Sequence, residues 1–476
     1  MRYGLSPDSS QGLAVFYLPD LRRPVLTRRV VARCATVLLF LGCAVRSLTA
    51  QDIAPPPPRG GLQIRSVSAY FDYYSAALPT GGGLQPSAKL LSDGAGGASV
   101  QVGWVKFSDR TTASFMYTSS VTGHARYSEW NAWNHAFSFN TSHKLAGRWT
   151  FGVAASGDFS TQEQSLFSST TLSNVASVRS NFDDLASAML TSKFTNPQLA
   201  SALTSAPLVD SPLRNLLYGQ RMFTLGVQSS LSHSYSPRLS VSFQAGGGRS
   251  QHVSENQQGA NRNSYLIPDT TSANAGMTVS YSLSRHTQLG GSVTANRIFS
   301  SLQDAYTTTS LATLGRTLTR RWILQIHGGV GVTKPVRQIS FRVSTAPHPA
   351  GGGSLVFKTL SQTVLGSFEH TVSDSYGLGA AATSAAGASW RWRRPGRSWW
   401  LESSASWEQL HGNALGNTSG WHTTGGLGRI IGAQVVLLAQ YAYQNYSGRL
   451  QNTLYSQDQS SVRLSLVWSP HPETSR

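Results

Sequence analysis

The chain holds twelve histidines, and their spacing assembles no obvious chemistry. His143, His233 and His286 fall beside stretches that read as short turns, while His327 and His370 fall within alternating stretches. No HExxH pair is present, and no close histidine pair suggests a metal site, so neither a metal nor another cofactor is expected. Glu402 and Glu408 share one face of an alternating segment, but six residues of strand separate them by about 20 Å. That is too far for a paired acid and base acting on one bond. Glycine runs at 81–83, 246–248 and 351–353 do not precede helices at the spacing of a phosphate-binding loop, and read as loops or tight bends. No catalytic residue is assigned, and the chain is expected not to be an enzyme. Side chains remote in sequence can still converge, which keeps a surface enzyme open as an alternative.

Any site must be positioned by elements that the composition already constrains. Charged residues make up only 13% of the chain, about half the usual share for a soluble protein, and hydrophobic residues 40%. Glycine and small polar residues fill the difference. A soluble surface is normally kept in solution by charge, so this chain is expected to show little surface to bulk water. It also lacks long apolar runs of the kind that span a bilayer as helices. The formal charge is +18. The first 50 residues hold seven Arg and two Asp, leaving 32 basic against 19 acidic residues beyond them. These are scattered singly, without a basic run or an aromatic-interleaved patch, so nucleic acid is not expected as a partner.

The N-terminal 50 residues read as an extension followed by a secretory signal peptide. Arg28 and Arg29 precede an apolar run from Val30 to Val45, and Leu48-Thr49-Ala50 follows as the cleavage region. That run is shorter than the roughly 20 residues a membrane helix needs. Residues 1–24 sit ahead of the basic stretch, and translation is expected to begin near Val25. Cys34 and Cys43 both lie in this leader, so the remaining chain has no disulfide or thiolate chemistry. Leu41-Gly42-Cys43 departs from a lipoprotein processing box at Phe40 and Leu41. Residues 51–61 form a proline-rich periplasmic lead-in built on Pro55–Pro58, stiff and extended.

From about residue 62 to 469 apolar and small polar residues alternate repeatedly. Leu239, Val241, Phe243 and Ala245 oppose Ser240, Ser242, Gln244 and Gly246. The same zigzag runs through 148–159, 274–283, 321–332 and 397–410. Side chains alternate across a strand, so each segment has one apolar and one polar face. Short connections are expected at 108–110, 143–148, 234–238, 285–286, 316–321, 373–376, 394–397 and 429–432. Longer ones are expected at 77–97, 122–131, 161–217, 250–270, 335–353, 411–418 and 448–458. Short turns at one end and long loops at the other are the pattern of a transmembrane barrel, with the short turns periplasmic. Trp149, Trp322, Trp390, Trp392, Trp399 and Trp400 lie beside the short turns, and with Trp468 they are expected to form a periplasmic aromatic girdle.

The C-terminal stretch 461–468 carries Val462, Leu464, Leu466 and Trp468 on one face. It resembles the terminal strand by which bacterial outer-membrane proteins are recognised for insertion, although eight residues follow it and such strands normally end on an aromatic. Together with the turn pattern, residues 62–469 resemble a bacterial outer-membrane barrel of porin type. No motif points to a narrower family. The resemblance implies an all-β, antiparallel up-and-down barrel of about 18 strands in the outer membrane. Sixteen is the second count, should the Gly/Ala-rich stretch 375–394 not fold back near Ser384. It also implies the lipid bilayer and the insertion machinery as partners. No plug domain is legible, which argues against a large TonB-dependent transporter, and residues 470–476 form a tail.

Residues 161–217 break the rhythm. Val175, Val178, Phe182, Leu185 and Met189 fall at helical spacing, and Asn196-Pro197 suits a helix start. A helical insert in an extracellular loop is expected there, placed to narrow the mouth, to cap the barrel, or merely to decorate the surface. The function this favours is passive passage of small polar or anionic solutes, saccharides among them. Arg148, Arg238, Arg321 and Arg463 are the candidate lumen-facing basic residues, and positive charge in a lumen lowers the barrier for anions. Position at the periplasmic rim, beside lipid phosphates, is an equally good reading of those arginines. A surface enzyme, or a structural or adhesion barrel with a filled lumen, is the alternative. The oligomeric state is not legible.

Overall fold

The computed structural model describes residues 61–75, 92–126, 131–145, 147–161, 221–253, 269–300, 303–338, 346–374, 380–413, 416–432, 434–450 and 453–470. The leader, the proline-rich lead-in, the helical insert and the last residues of the tail lie outside them. The chain divides into Met1–Leu48 and Thr49–Arg476, and every described residue belongs to the second unit.

These residues form 18 strands in chain order. They are β1 (Gln63–Tyr74), β2 (Asp93–Phe107), β3 (Thr111–His124), β4 (Ala132–Lys144), β5 (Trp149–Thr161) and β6 (Arg221–Ser234). Next come β7 (Leu239–His252), β8 (Thr270–Ser282), β9 (Thr287–Ser300), β10 (Gln303–Thr319), β11 (Trp322–Gln338) and β12 (His348–Lys358). The last six are β13 (Gln362–Asp374), β14 (Ala380–Arg393), β15 (Trp399–Asn413), β16 (Gly416–Ile431), β17 (Val435–Leu450) and β18 (Thr453–Trp468). Each strand pairs antiparallel with the next, and β18 pairs antiparallel with β1, from Val67↔Trp468 to Tyr74↔Ser461. The ring is therefore closed. At a strand spacing of about 4.8 Å and a tilt of roughly 40°, 18 strands enclose a cylinder of roughly 18 Å radius.

The pairing registers carry one face assignment around the whole ring. Outward-facing positions hold Phe151 on β5, Val227 on β6, Phe243 on β7, Val293 on β9, Val330 on β11, Phe368 on β13, Leu427 on β16 and Leu464 on β18, and all are exposed. Inward-facing positions hold Asp72, Gln101, Asn134, Gln325, His327, Glu408, His422 and Gln459, and all are buried. This is a soluble protein turned inside out. Most large apolar side chains meet hydrocarbon, with Ile323, Val356 and Leu365 as a buried apolar row on the inner face. Each described strand pairs with a neighbour on both sides, the condition for crossing a membrane without helices. Among the described residues no helix is long and apolar enough to cross a membrane. The molecule is a closed 18-strand transmembrane barrel of the bacterial outer membrane, as the period-two reading expects.

The eight connections β2–β3, β4–β5, and so on to β16–β17 all leave two to five residues between strands. At the other end the interval runs from two residues at β9–β10, β15–β16 and β17–β18 to 59 at β5–β6, so the uniformly short end is the periplasmic one. The longer connections expected at 411–418 and 448–458 are largely strand instead. Seven match the expected turns. The eighth differs. The chain does not fold back at Ser384, because 380–393 is the single strand β14, and β13 runs on to Asp374 at the opposite, extracellular end. The turn that restores the count is Thr359-Leu360-Ser361. It carries no Gly, Pro, Asn or Asp, and is held by the Thr359 hydroxyl, which accepts from the N–H groups of Ser361 and Gln362 at 3.3 and 2.9 Å. The same device recurs in four other turns. Ser108 accepts from Thr111 N, Ser236 from Leu239 N, Ser284 from His286 N, and Thr319 from Arg321 N. Gly147, Gly396 and Gly432 serve three turns with φ of 57°, 75° and 66°, where a side chain would be strained.

Within strands, glycine does something else. The Trp400 ring on β15 lies flat over Gly428 on β16, where an added Cβ would sit 2.1 Å from the indole. Gly425, three residues away, has nothing within 4 Å. Gly428→Val should lower barrel stability by about 1–3 kcal/mol through overpacking, whereas Gly425→Ala should stay within about 0.5 kcal/mol. Urea unfolding in detergent micelles, followed by tryptophan fluorescence, measures both.

Candidate functional site

The candidate site is the inner wall, and its chemistry comes from polar side chains that reach across glycines. Glu402 on β15 accepts from Arg391 on β14 at 3.1 Å and from the Trp400 indole N–H at 3.1 Å. It also accepts from Gln440 on β17 at 2.8 Å, two strands away. Gly426 on the intervening β16 makes that reach possible, since a Cβ there would lie 3.1 Å from both the Gln440 and the Glu402 Cγ atoms. The arrangement repeats with other chemistry. Imidazole Nε2 of His327 on β11 stands 2.9 Å from a Glu369 oxygen on β13, across Gly352 on β12. The Tyr70 hydroxyl on β1 meets the Thr122 hydroxyl on β3 across Gly97 on β2. In each case a long side chain lies along the wall instead of projecting toward the axis.

The register row that begins at Arg391 and Glu402 continues through Gly426 and Gln440 to Arg463 and Asp72, and so crosses the closing seam. There Arg463 on β18 donates two hydrogen bonds to the Asp72 carboxylate on β1, at 2.6 and 2.7 Å. The Tyr74 hydroxyl also donates to Asp72, at 3.2 Å, and the guanidinium carbon of Arg463 lies 5.0 Å from the Tyr70 ring centroid. The Asp72 side chain is 3% exposed and that of Arg463 49% exposed, so the carboxylate is sunk in the wall and the guanidinium borders the lumen.

Of the candidate basic residues, Arg463 alone lies along a strand facing inward. Arg148, Arg238 and Arg321 sit exposed in the short turns, and Arg148 donates to the Tyr235 carbonyl. Arg110, Arg285, Arg320, Arg394 and Arg397 occupy the same turns. Among the described residues, much of the excess positive charge therefore gathers at the periplasmic rim. The described inward-facing charges are mixed: Asp72, Asp93, Asp158, Glu369, Glu402 and Glu408 against Lys144, Lys358, Arg391, Arg393 and Arg463. Carboxylates and cations nearly balance there.

The tryptophans divide. Trp149, Trp322, Trp390, Trp392, Trp399 and Trp468 face outward near the short turns. Trp392 and Trp399 meet edge to face at 5.0 Å, Trp322 packs on Phe357 at 4.6 Å, and the Trp468 N–H donates to Gln434. Trp400 leaves the expected girdle. Consecutive residues of a strand point to opposite faces, so with Trp399 outward Trp400 must enter the lumen, where it serves Glu402.

Besides His327 and Glu369 on the inner wall, two further pairs have the residue types of acid–base chemistry. Asp93 and His124, at the extracellular ends of β2 and β3, meet at 2.7 Å with side chains 0% and 1% exposed. A substrate cannot reach groups so enclosed, and the Arg126 N–H also donates to the carboxylate. His370 Nδ1 and the Ser384 hydroxyl meet at 2.8 Å on the outward face. The sheet N–H groups around that pair are engaged in the ladder, so none is left to stabilise an oxyanion. Among the described residues no group of three His, Cys, Asp or Glu is gathered as a metal site would require.

No protein-family model matches the sequence, and no curated protein matches it. Among solved structures, it is similar to a BenF-like porin from Pseudomonas fluorescens Pf-5, with 8% identity, TM-score 0.43, and coverage of 86% of this chain and 98% of that one. It is also similar to Pseudomonas aeruginosa OccK2 (OpdF), with 9% identity, TM-score 0.43, and coverage of 86% and 98%. A third is Pseudomonas aeruginosa OpdO, with 12% identity, TM-score 0.42, and coverage of 85% and 96%.

The seam pair yields an asymmetric prediction. Arg463→Ala strands a buried carboxylate and should cost about 2–3 kcal/mol. Asp72→Asn leaves a half-exposed guanidinium with access to water and should cost less. The double variant Asp72→Asn/Arg463→Gln should recover part of the larger loss. Equilibrium unfolding of the three variants measures the difference, and equal costs for both single changes would count against the seam assignment.

Proposed function

We propose that this barrel is a passive channel for small polar solutes, neutral saccharides included. The observation that carries the reading is how the inner wall is built. Its long polar side chains are tethered sideways over Gly97, Gly352 and Gly426, so the wall itself does not fill an enclosure of roughly 18 Å radius. The wall presents hydroxyls, amides and paired charges, such as the 2.7 Å Ser68–Ser99 and 2.6 Å Ser404–Thr424 contacts, which exchange hydrogen bonds with a polar solute at little cost.

Selectivity on this reading is weak and set at the mouth. Nearly balanced wall charges give no strong preference by sign, while the turn arginines raise the local concentration of anions at the periplasmic opening. A filled lumen serving an enzyme has less support, since the His–carboxylate pair at the outer rim is sealed from substrate.

Planar-bilayer recording tests the proposal. The reconstituted protein should conduct, with a small reversal potential on the anion-selective side under a potassium chloride gradient. Arg148→Gln/Arg238→Gln/Arg321→Gln should move that potential toward zero with little change in conductance. Gly97→Leu/Gly352→Leu should push Tyr70 and Glu369 off the wall and lower conductance about two-fold. A folded, inserted barrel that passes no current and no sugar in liposome swelling would overturn the channel.

A further inference from the structure

Three strands of the lipid-facing wall change character at one height. Outward positions of β7 are apolar or small from Val241 to Gly247, then comes Arg249. On β9 they are apolar or glycine from Leu289 to Ala295, then comes Arg297. On β11 they run apolar or glycine from Leu324 to Val332, then comes Lys334. Register ties them together: Arg297 pairs with Tyr306, which pairs with Lys334, while Arg249 shares a row with Phe299, Asp304 and Arg337. These cations stand on the hydrocarbon side of the barrel, not in the lumen.

Their depth is set by geometry. Lys334 lies twelve residues up β11 from the girdle residue Trp322, roughly 30 Å along the barrel axis at a tilt of about 40°. The apolar band of such barrels is about 25 Å tall, so the patch sits just beyond it, at the headgroup level of the extracellular leaflet. The patch is also held in place. Arg297 donates to both Asp304 oxygens at 3.1 and 2.9 Å, and its guanidinium lies 4.1 Å from the Phe299 and 4.6 Å from the Tyr306 ring centroid. Arg337 donates to the Ser300 carbonyl at 3.1 Å. Four cations share this face with one carboxylate; Arg297 pairs with it, and Arg249 and Lys334 have no ion-pair partner among the described residues.

We propose that this face of β7–β11 binds the phosphorylated headgroup of an outer-leaflet glycolipid of the lipid A type. The charge left over after Asp304 calls for an anion, and its depth places that anion in a headgroup. The two aromatic rings give the sugar and the upper acyl chain a surface to lie on. Guanidinium and ammonium groups are the usual phosphate partners, the first through paired N–H donors and the second as a point charge.

The test uses the full chain purified in detergent, with native mass spectrometry and a fluorescent lipid A competition assay. Lipid A carrying two phosphates should bind, monophosphoryl lipid A several-fold more weakly, and inorganic phosphate at the same concentration should not displace either. Arg249→Ala/Lys334→Ala/Arg337→Ala should lose at least ten-fold in affinity, whereas Arg249→Lys/Arg337→Lys should stay within about three-fold. Arg316→Ala/Arg429→Ala, at the other end of the lipid-facing wall, should bind as the unaltered chain does. Unchanged binding by the triple alanine variant overturns the site. So does an equal loss in the Arg316/Arg429 variant, or full displacement by phosphate, which would mark a free-anion site. Heat-modifiable gel mobility reports that each variant is folded.

Discussion

A peptide group in hydrocarbon has no water to bond with, and leaving it unpaired costs several kcal/mol. A sheet can meet that requirement only by having no edge. The β1–β18 pairing is therefore the contact on which the other strands depend, because without it two rows of N–H and C=O groups would face lipid. The chain reinforces the seam beyond its ladder. Ser75 N donates to the Ser460 carbonyl, Ser460 N to the Ser75 hydroxyl, and the Ser469 hydroxyl to the Arg65 carbonyl. The Arg463–Asp72 pair then spans the joint from inside. Its partners come from opposite ends of the sequence, so it can form only when the ring has closed. It fixes register as much as it adds stability, since a shift of one residue at the seam would turn one of the two charges into the bilayer and leave the other unpaired.

Closure creates a second problem, which glycine solves. A polar face curled inward brings many side chains toward one axis. At Gly97, Gly352 and Gly426 a missing side chain leaves a flat floor on which a neighbour lies down and bonds to the strand beyond. The bonds that satisfy the wall are thus the bonds that keep it thin. A glycine in a strand normally weakens it. Here the loss is offset by a contact spanning three strands, and the lumen keeps its width.

Much of this was legible in the sequence, because a barrel has only two environments and alternation records both. The faces of 148–159, 239–246 and 274–283 follow directly from period two, as does the outward placement of Trp149, Trp322 and Trp399 beside short turns. What escaped reading was local. Thr359-Leu360-Ser361 lacks the residues that announce a turn, and its hydroxyl-to-backbone bonds are visible only when Ser108, Ser236, Ser284 and Thr319 are compared with it. In all five a hydroxyl residue stands three positions before the first residue of the next strand. Trp400 was misplaced for a simpler reason: proximity to a turn outweighed alternation, although two adjacent tryptophans cannot share a face. Contacts such as Gln440 to Glu402 could not be read, because they depend on register between strands far apart in the chain.

Charge follows the same division of environments, and it changes what the surplus beyond residue 50, 32 basic against 19 acidic residues, means. In a soluble protein such an excess spreads over a surface and describes the partner. In a barrel, hydrocarbon excludes charge from the middle of the outer wall, and the lumen wall pairs most of what it holds. The surplus is pushed to the two rims, where phosphate headgroups and water receive it. Arg148, Arg238, Arg321 and their neighbours collect at the short turns, and Arg249, Arg297, Lys334 and Arg337 at the far end of the lipid-facing wall. The basic character of this chain thus speaks first of the two leaflets it spans, and only through its openings of the solutes that cross it.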